Sequence, residues 1–246
     1  MPQDSPADSP AWKGTPVTNT LVVFDLDGTM IDTAPDLIDS LNHTIAARDL
    51  APVTFEDLTH LVGQGARVMI RRAFALREAP LDESEVEPLL ARFLDHYSQH
   101  MPGKSRLYDG LTDCFDRLEA AGMRLAVCTN KLEQLALPLL DKMHLTKRFA
   151  AITGGDTFPV RKPDARHLLG TIERAGGEPA RSILIGDSIN DIMAAKNAGI
   201  GSIGVTFGYS DVPVAELAPT RIIGHFGELT AELVRTVIAQ ASTAAR

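Results

Sequence analysis

The sequence predicts an α/β fold: a Rossmann-like parallel sheet interrupted by an inserted all-helical segment. Three observations lead there. Short, nearly continuous apolar runs of strand length recur along the chain, the pattern of strands buried on both faces. Amphipathic segments of helical period separate most of these runs. Between the first run and the second lies a long stretch, residues 34–102, that is helical in period and has no convincing strand.

Taken in order, residues 1–19 (MPQDSPADSPAWKGTPVTN) are rich in Pro, Ser, Asp and Thr and lack the basic and apolar regions of a signal peptide. They read as a tail, and Trp12 as an incidental exposed residue within it. The first strand is LVVF, 21–24, and it stops at Asp25. The inserted segment follows, built from APDLIDSLNHTIAARDL, FEDLTHLV, ARVMIRRAFAL and ESEVEPLLARFLDHYSQH. Because it leaves and re-enters the chain near Asp25 and Asp27, it is placed to act as a lid over them. Further strands are RLAVCT (124–129), AAIT (150–153), SILIGD (182–187) and GSIGVT (201–206). A helix over 132–143 carries leucines at 132, 135, 139 and 140, and one over 188–198 ends at Gly199, a natural helix-terminating residue. Past 207 come one short apolar piece at 221–223 and a terminal helix. The expected organisation is a tail (1–19), an α/β core (20–33 and 103–246) and a helical cap (34–102).

Composition narrows the function classes. At 246 residues, with 44% hydrophobic and 23% charged residues, the chain has the ordinary soluble globular mix and enough apolar side chains for a sizeable core. No apolar run approaches the length of a membrane span. The formal net charge of −8 argues against general affinity for nucleic acid or anionic lipid, so an anionic substrate needs local cations. The two cysteines, Cys114 and Cys128, suit a reducing cytoplasm.

Chemistry gathers at the strand ends. Asp25, Thr129 and Asp187 each close an apolar strand, and in open parallel sheets ligands bind beyond the carboxyl ends of the strands, so the three are expected to converge. Lys162 follows the 150–153 strand and joins them from the same edge. Asp25 and Asp187, ionised at neutral pH, repel each other unless a divalent cation lies between them, and a small all-oxygen donor set suits Mg²⁺. A carboxylate beside a bound phosphate can attack phosphorus and form an aspartyl phosphate. Thr129 and the amides of Asn130 and Lys131, at an expected helix start, can receive phosphate oxygens. Lys162 would neutralise shared charge, and Asp27 can act as acid toward the leaving oxygen and then as base toward water. Gly28 gives the backbone freedom to turn between them.

The motifs DLDGT, CTN, RKPD and GDSINDI, in that order, resemble the four signatures of the haloacid dehalogenase superfamily, and the insertion after the first matches the helical-cap subclass. DTAPDL (32–37), VGQGA (62–66) and GGDTFPVRKPDARHLL (154–169) are similar to the phosphoglycolate phosphatases within it. The resemblance implies a Mg²⁺-dependent hydrolase of 2-phosphoglycolate with Asp25 as nucleophile and Asp27 as acid/base. It also implies metal held by Asp25, the Asp27 backbone carbonyl and Asp187, with Asp191 in support behind them. Met30 replaces the commoner leucine after DGT, with a consequence for packing alone.

Competing readings are weighed on the same residues. A dehalogenase needs no acid for a halide, so Asp27 favours phosphate chemistry. A phosphonate-cleaving relative uses a cap lysine, and residues 36–102 contain none. A sugar-phosphate phosphatase or mutase, a pyrophosphatase, and a catalytically silent binding protein of the same fold stay open, as do monomer and homodimer. His96 and His100 are four apart on a helix, but without a third ligand they read as exposed surface residues. Of Arg67, Arg71, Arg72 and Arg77, most are expected to form a solvated face, although Arg67 and Arg71, one turn apart, could together meet a substrate carboxylate. The loop VGQGAR, whose glycines let backbone amides approach a small ligand, is expected to supply the specificity contact, with Arg67 at its end.

Overall fold

The structure, a computed structural model, describes residues 20–57 and 65–244. Residues 1–19 with Trp12, and most of FEDLTHLV and of the loop VGQGA, lie outside them. Six parallel strands form the sheet: β1 (Leu21–Phe24), β4 (Arg124–Cys128), β5 (Phe149–Thr153), β6 (Ser182–Gly186), β7 (Gly201–Val205) and β8 (Arg221–Ile223). Their spatial order is β5-β4-β1-β6-β7-β8, so the chain builds outward from β1 to one edge, then returns to build the other. β1 is therefore central, and the strand order reverses beside it.

Register brings the strand ends level. Phe24 lies opposite both Val127 of β4 and Ile185 of β6. The Asp25 amide then donates to the Ile185 carbonyl at 2.9 Å, and the Thr129 amide to the Thr153 carbonyl at 3.0 Å. Alternation along each strand feeds two apolar layers. Val22, Phe24, Leu125, Val127, Ile183 and Ile185 face α4 (Leu111–Ala120), α5 (Glu133–Lys142) and α8 (Ala231–Ala244) through residues such as Phe115, Leu139 and Val234. Leu21, Val23, Ala126, Cys128 and Leu184 face α6 (Ala165–Arg174) and α7 (Ile189–Asn197) through Leu168, Ile172, Ala194 and Ala195. Met30 is fully buried in the first layer.

The helical segment comprises α1 (Ala34–Ile45), α2 (Ala66–Leu76) and α3 (Glu83–His100). α3 turns Val86, Leu89, Phe93 and Tyr97 inward, one stripe at helical spacing, and starts from a capping box made by Asp82 and Glu85. Where the chain leaves and re-enters the sheet, β2 (Ile31–Asp32) pairs antiparallel with β3 (Arg106–Leu107). Two residues are too few for a periodic signal, and this pair was not foreseeable from the pattern. Among the described residues no helix is long and apolar enough to cross a membrane.

Several expectations need correction. The helix placed near Asn130 and Lys131 begins only at Glu133, because Leu132 is extended and the Glu133 amide is taken by the Asp156 carboxylate at 2.8 Å. His96 is half-buried rather than exposed: its ring stacks between those of His43 and His100, at 4.2 and 4.0 Å, and its Nδ1 lies 3.1 Å from Ser40 Oγ. The arginines are not simply solvated. Arg72 reaches Asp211 at 2.9 Å, and Arg77 holds the 51–57 loop through the Ala51 carbonyl and Asp57.

Candidate active site

Asp25 continues β1 and is buried, as are Asp187 beyond β6 and Asp191 in the first turn of α7. One ligand oxygen from each lies within 4.8 Å of the others. Burial, reinforced by the neighbouring Asp191 charge, raises the carboxyl of Asp25 and that of Asp187 well above the ordinary aspartate range.

Lys162 enters this cluster with its ammonium 2.8 Å from Asp25 Oδ1 and 2.6 Å from Asp191 Oδ1. Burial pulls that ammonium down, but Asp191 and Asp25 more than offset it and hold it charged. Asp191 is spoken for at both oxygens, since Oδ2 accepts from the Ser188 hydroxyl at 2.6 Å and amide at 3.1 Å. Asp187 is oriented by the Thr29 hydroxyl at 2.8 Å and the Tyr209 amide at 3.1 Å. Gly28, at φ +80°, allows this packing: a Cβ there would stand 2.6 Å from Asp187 Oδ2.

Asp27 lies at the mouth of the turn. Its carboxylate accepts from Thr33 Oγ1 at 2.7 Å and from Lys131 Nζ at 3.0 and 3.3 Å. Lys131 is buried and also donates to Tyr97 Oη of α3 at 2.8 Å. Its ammonium is raised despite burial, chiefly through Asp27. The Lys131 amide, expected to be free for a phosphate, is instead engaged by Thr129 Oγ1 at 3.2 Å. Asn130 donates from its side chain to the Lys162 carbonyl at 3.0 Å, bracing the loop that carries the lysine. Thr129 is buried at the end of β4.

A cavity of about 260 Å³ opens over these groups. Its floor is Asp25, Asp27, Thr129, Lys131, Lys162 and Asp187; its roof is Leu37, Met69, Leu90, Phe93, Leu94 and Tyr97 from the three helices. Arg67 stands at its margin, exposed and ion-paired with Glu87. The structure thus gathers Asp25, Asp27, Thr129, Asn130, Lys162, Asp187 and Asp191, and leaves Arg67 at the edge. Sequence reasoning missed the side chains of Lys131, Tyr97, Thr29, Thr33 and Tyr209. A lysine straight after a strand-end Thr-Asn was the one available signal.

The donor set fits a hard divalent cation. It is all oxygen, and four carboxylates (Asp25, Asp27, Asp187, Asp191) face two ammoniums (Lys131, Lys162), leaving a formal surplus of two negative charges in a buried site. Asp25 Oδ1 is buried and, although close to Lys162, makes no aligned hydrogen bond. Beside it the arrangement presents a carboxylate able to attack, cations able to hold an anion, and a second carboxyl facing the cavity.

Residues 22–205 match the model of the haloacid dehalogenase-like hydrolase family. A phosphoglycolate phosphatase of Agrobacterium fabrum is 62% identical over 225 residues, 92% of this chain and 97% of that protein. A phosphoglycolate phosphatase of Mesorhizobium japonicum is 50% identical over 90% of this chain and 98% of its own. The crystal structure of a protein described as a predicted phosphoglycolate phosphatase from Haemophilus somnus superposes with a TM-score of 0.81 at 30% identity, covering 90% of this chain and 99% of that one.

Proposed function

The chain belongs to the haloacid dehalogenase-like hydrolase family, and from that premise we propose that it is a Mg²⁺-dependent phosphatase of 2-phosphoglycolate. The observation that carries the chemistry is the convergence of Asp25, Asp187 and Lys162 under one cavity, with Asp27 beside it. The two phosphoglycolate phosphatases at 62% and 50% identity support the substrate.

Asp25 and Asp187, with the Asp27 backbone carbonyl, would hold Mg²⁺, and Asp191 would steady Lys162 behind them. The ion, when bound, offsets the carboxylate charge and draws electron density from the phosphoryl oxygens. Lys162 and Thr129 then receive phosphoryl oxygens, with Asn130 keeping the Lys162 loop in place. An Asp25 oxygen attacks phosphorus, the bond from phosphorus to the ester oxygen breaks, and that oxygen takes a proton from Asp27. Glycolate departs. Asp27 next removes a proton from water, whose oxygen attacks phosphorus; the bond to Asp25 breaks, releasing phosphate and restoring both carboxyls.

In this reading residues 20–33 and 103–246 form the catalytic core, residues 34–102 a cap that excludes water during attack, and residues 1–19 a tail. Arg67 is an outer contact at the cap margin. The two buried, unpaired thiols, Cys114 and Cys128, suit the cytoplasm. The test is phosphate release from 2-phosphoglycolate, hexose phosphates and pyrophosphate with and without Mg²⁺. Metal-dependent turnover with phosphoglycolate foremost is expected; equal or greater turnover of a hexose phosphate would reassign the substrate, and silence on every ester would leave a binding protein.

A further inference from the structure

We propose that Lys131 is the specificity residue of this site, its ammonium receiving the carboxylate of the departing two-carbon acid. The inference rests on the phosphoglycolate reading above and names the group that selects it. Lys131 is buried, its side chain 4% exposed, and it lines the cavity floor. An ammonium carries three N–H donors. The two oxygens of Asp27, at 3.0 and 3.3 Å, share one sector of it, and Tyr97 Oη at 2.8 Å takes another. The Tyr97 ring, 4.3 Å from Nζ, covers it from the side of α3. One donor is left for the cavity.

Position fits the substrate. In phosphoglycolate the carboxylate oxygens lie roughly 3 Å from the ester oxygen by ordinary bond lengths. Asp27, the acid for that oxygen, is 3.0 Å from Lys131. A carboxylate one carbon beyond the ester oxygen therefore falls within reach of the same ammonium that touches the acid. The other basic side chain singled out for this role, Arg67, is exposed and already tied to Glu87. A carboxylate meets Lys131 in a site shielded from water, where a charge-assisted bond is stronger than at the exposed margin. A hexose phosphate or an alkyl phosphate has no anion at that distance.

The experiment compares three esters on wild type and Lys131→Met with Mg²⁺: 2-phosphoglycolate, ethyl phosphate and p-nitrophenyl phosphate. Ethyl phosphate needs the acid but lacks the carboxylate; p-nitrophenolate leaves without an acid and reports that the variant is folded. The expected result is a fall of about 100-fold in kcat/KM for phosphoglycolate, with ethyl phosphate falling at least about tenfold less. Equal falls for phosphoglycolate and ethyl phosphate would make Lys131 a mere support of Asp27 and overturn the assignment, as would a preference for phosphoglycolate that survives the substitution. Wild-type protein that hydrolyses p-nitrophenyl phosphate without preferring phosphoglycolate over ethyl phosphate would instead overturn the substrate reading and this one with it. Should Lys131→Met not fold, wild type alone suffices: glycolate should inhibit p-nitrophenyl phosphate hydrolysis at concentrations where ethylene glycol does not, and equal effects would overturn the assignment.

Discussion

The floor and the roof of the cavity are built on opposite electrostatic terms. In the floor, charges are buried and interlocked: Lys162 is shared by Asp25 and Asp191, and Lys131 sits against Asp27. In the roof, the cavity-facing side chains are mostly apolar, and the ion pairs Arg67–Glu87 and Arg71–Glu83 stand in solvent. Removing one partner of a buried pair strands a charge and costs about 3–5 kcal/mol, whereas an exposed pair contributes about 0–1 kcal/mol. The lesson is that the interlocked floor, Lys131 included, has little freedom to vary, while exposed side chains of the roof can change at small cost in stability.

The contrast is most severely tested at Asp25, the proposed nucleophile. Asp25→Asn should lower kcat on phosphoglycolate by about 10⁴-fold or more, measured as phosphate release; turnover near the native rate would remove Asp25 from the reaction. Asp187→Asn, or chelation of wild type, should abolish turnover, with added Mg²⁺ restoring only the chelated wild type. Lys162→Met should cost about 3–5 kcal/mol in urea unfolding at neutral pH as well as activity, because two buried carboxylates lose their cation. A loss below 1 kcal/mol would mean the floor is not interlocked as described.

A smaller effect comes from behind the floor. His167 is buried, and its Nδ1 accepts from the Lys162 amide at 3.2 Å. Burial, then the nearby Lys162 charge, pushes the imidazole down from 6.5 to about 4. The fold thus favours the neutral ring. Its contribution is fully present above pH 6.5 and is lost as pH falls through about 4. Urea midpoints at pH 7 and pH 5 should differ more for wild type than for His167→Gln; parallel changes would discount the histidine. The smallest effect belongs to the roof: Arg71→Ala should shift stability by less than about 1 kcal/mol, and Arg67→Ala should raise KM for phosphoglycolate only a few-fold with kcat unchanged. An unchanged KM would remove Arg67 from substrate contact altogether.

The floor was legible because its members close strands. Asp25, Thr129 and Asp187 each end an apolar run, and a parallel sheet with reversing strand order brings such ends to one edge. What escaped notice depends on partners far apart in the chain. Tyr97 meets Lys131 across 34 residues and Tyr209 meets Thr33 across 176, and no local period encodes either contact. The misplaced helix start at Asn130 and Lys131 has a local cause: apolar spacing registers Leu132, but not that Asp156 caps Glu133 from another loop. The stacked histidines were misjudged for a similar reason, since His43 comes from α1 and cannot be seen from α3 alone.

The two chain crossings between sheet and helices are each stapled. Tyr209 Oη accepts from the Thr33 amide at 2.9 Å while the Tyr209 amide holds Asp187, and Asp36 accepts from the amides of Lys104 and Ser105 at 2.7 and 3.0 Å. Outgoing and returning segments are thereby lashed together at the first turn of α1, so neither can bend without the other. Any swing of the roof must share a single fulcrum there, and because Tyr209 grips both that fulcrum and Asp187, the leverage of the helices reaches the buried carboxylate cluster directly.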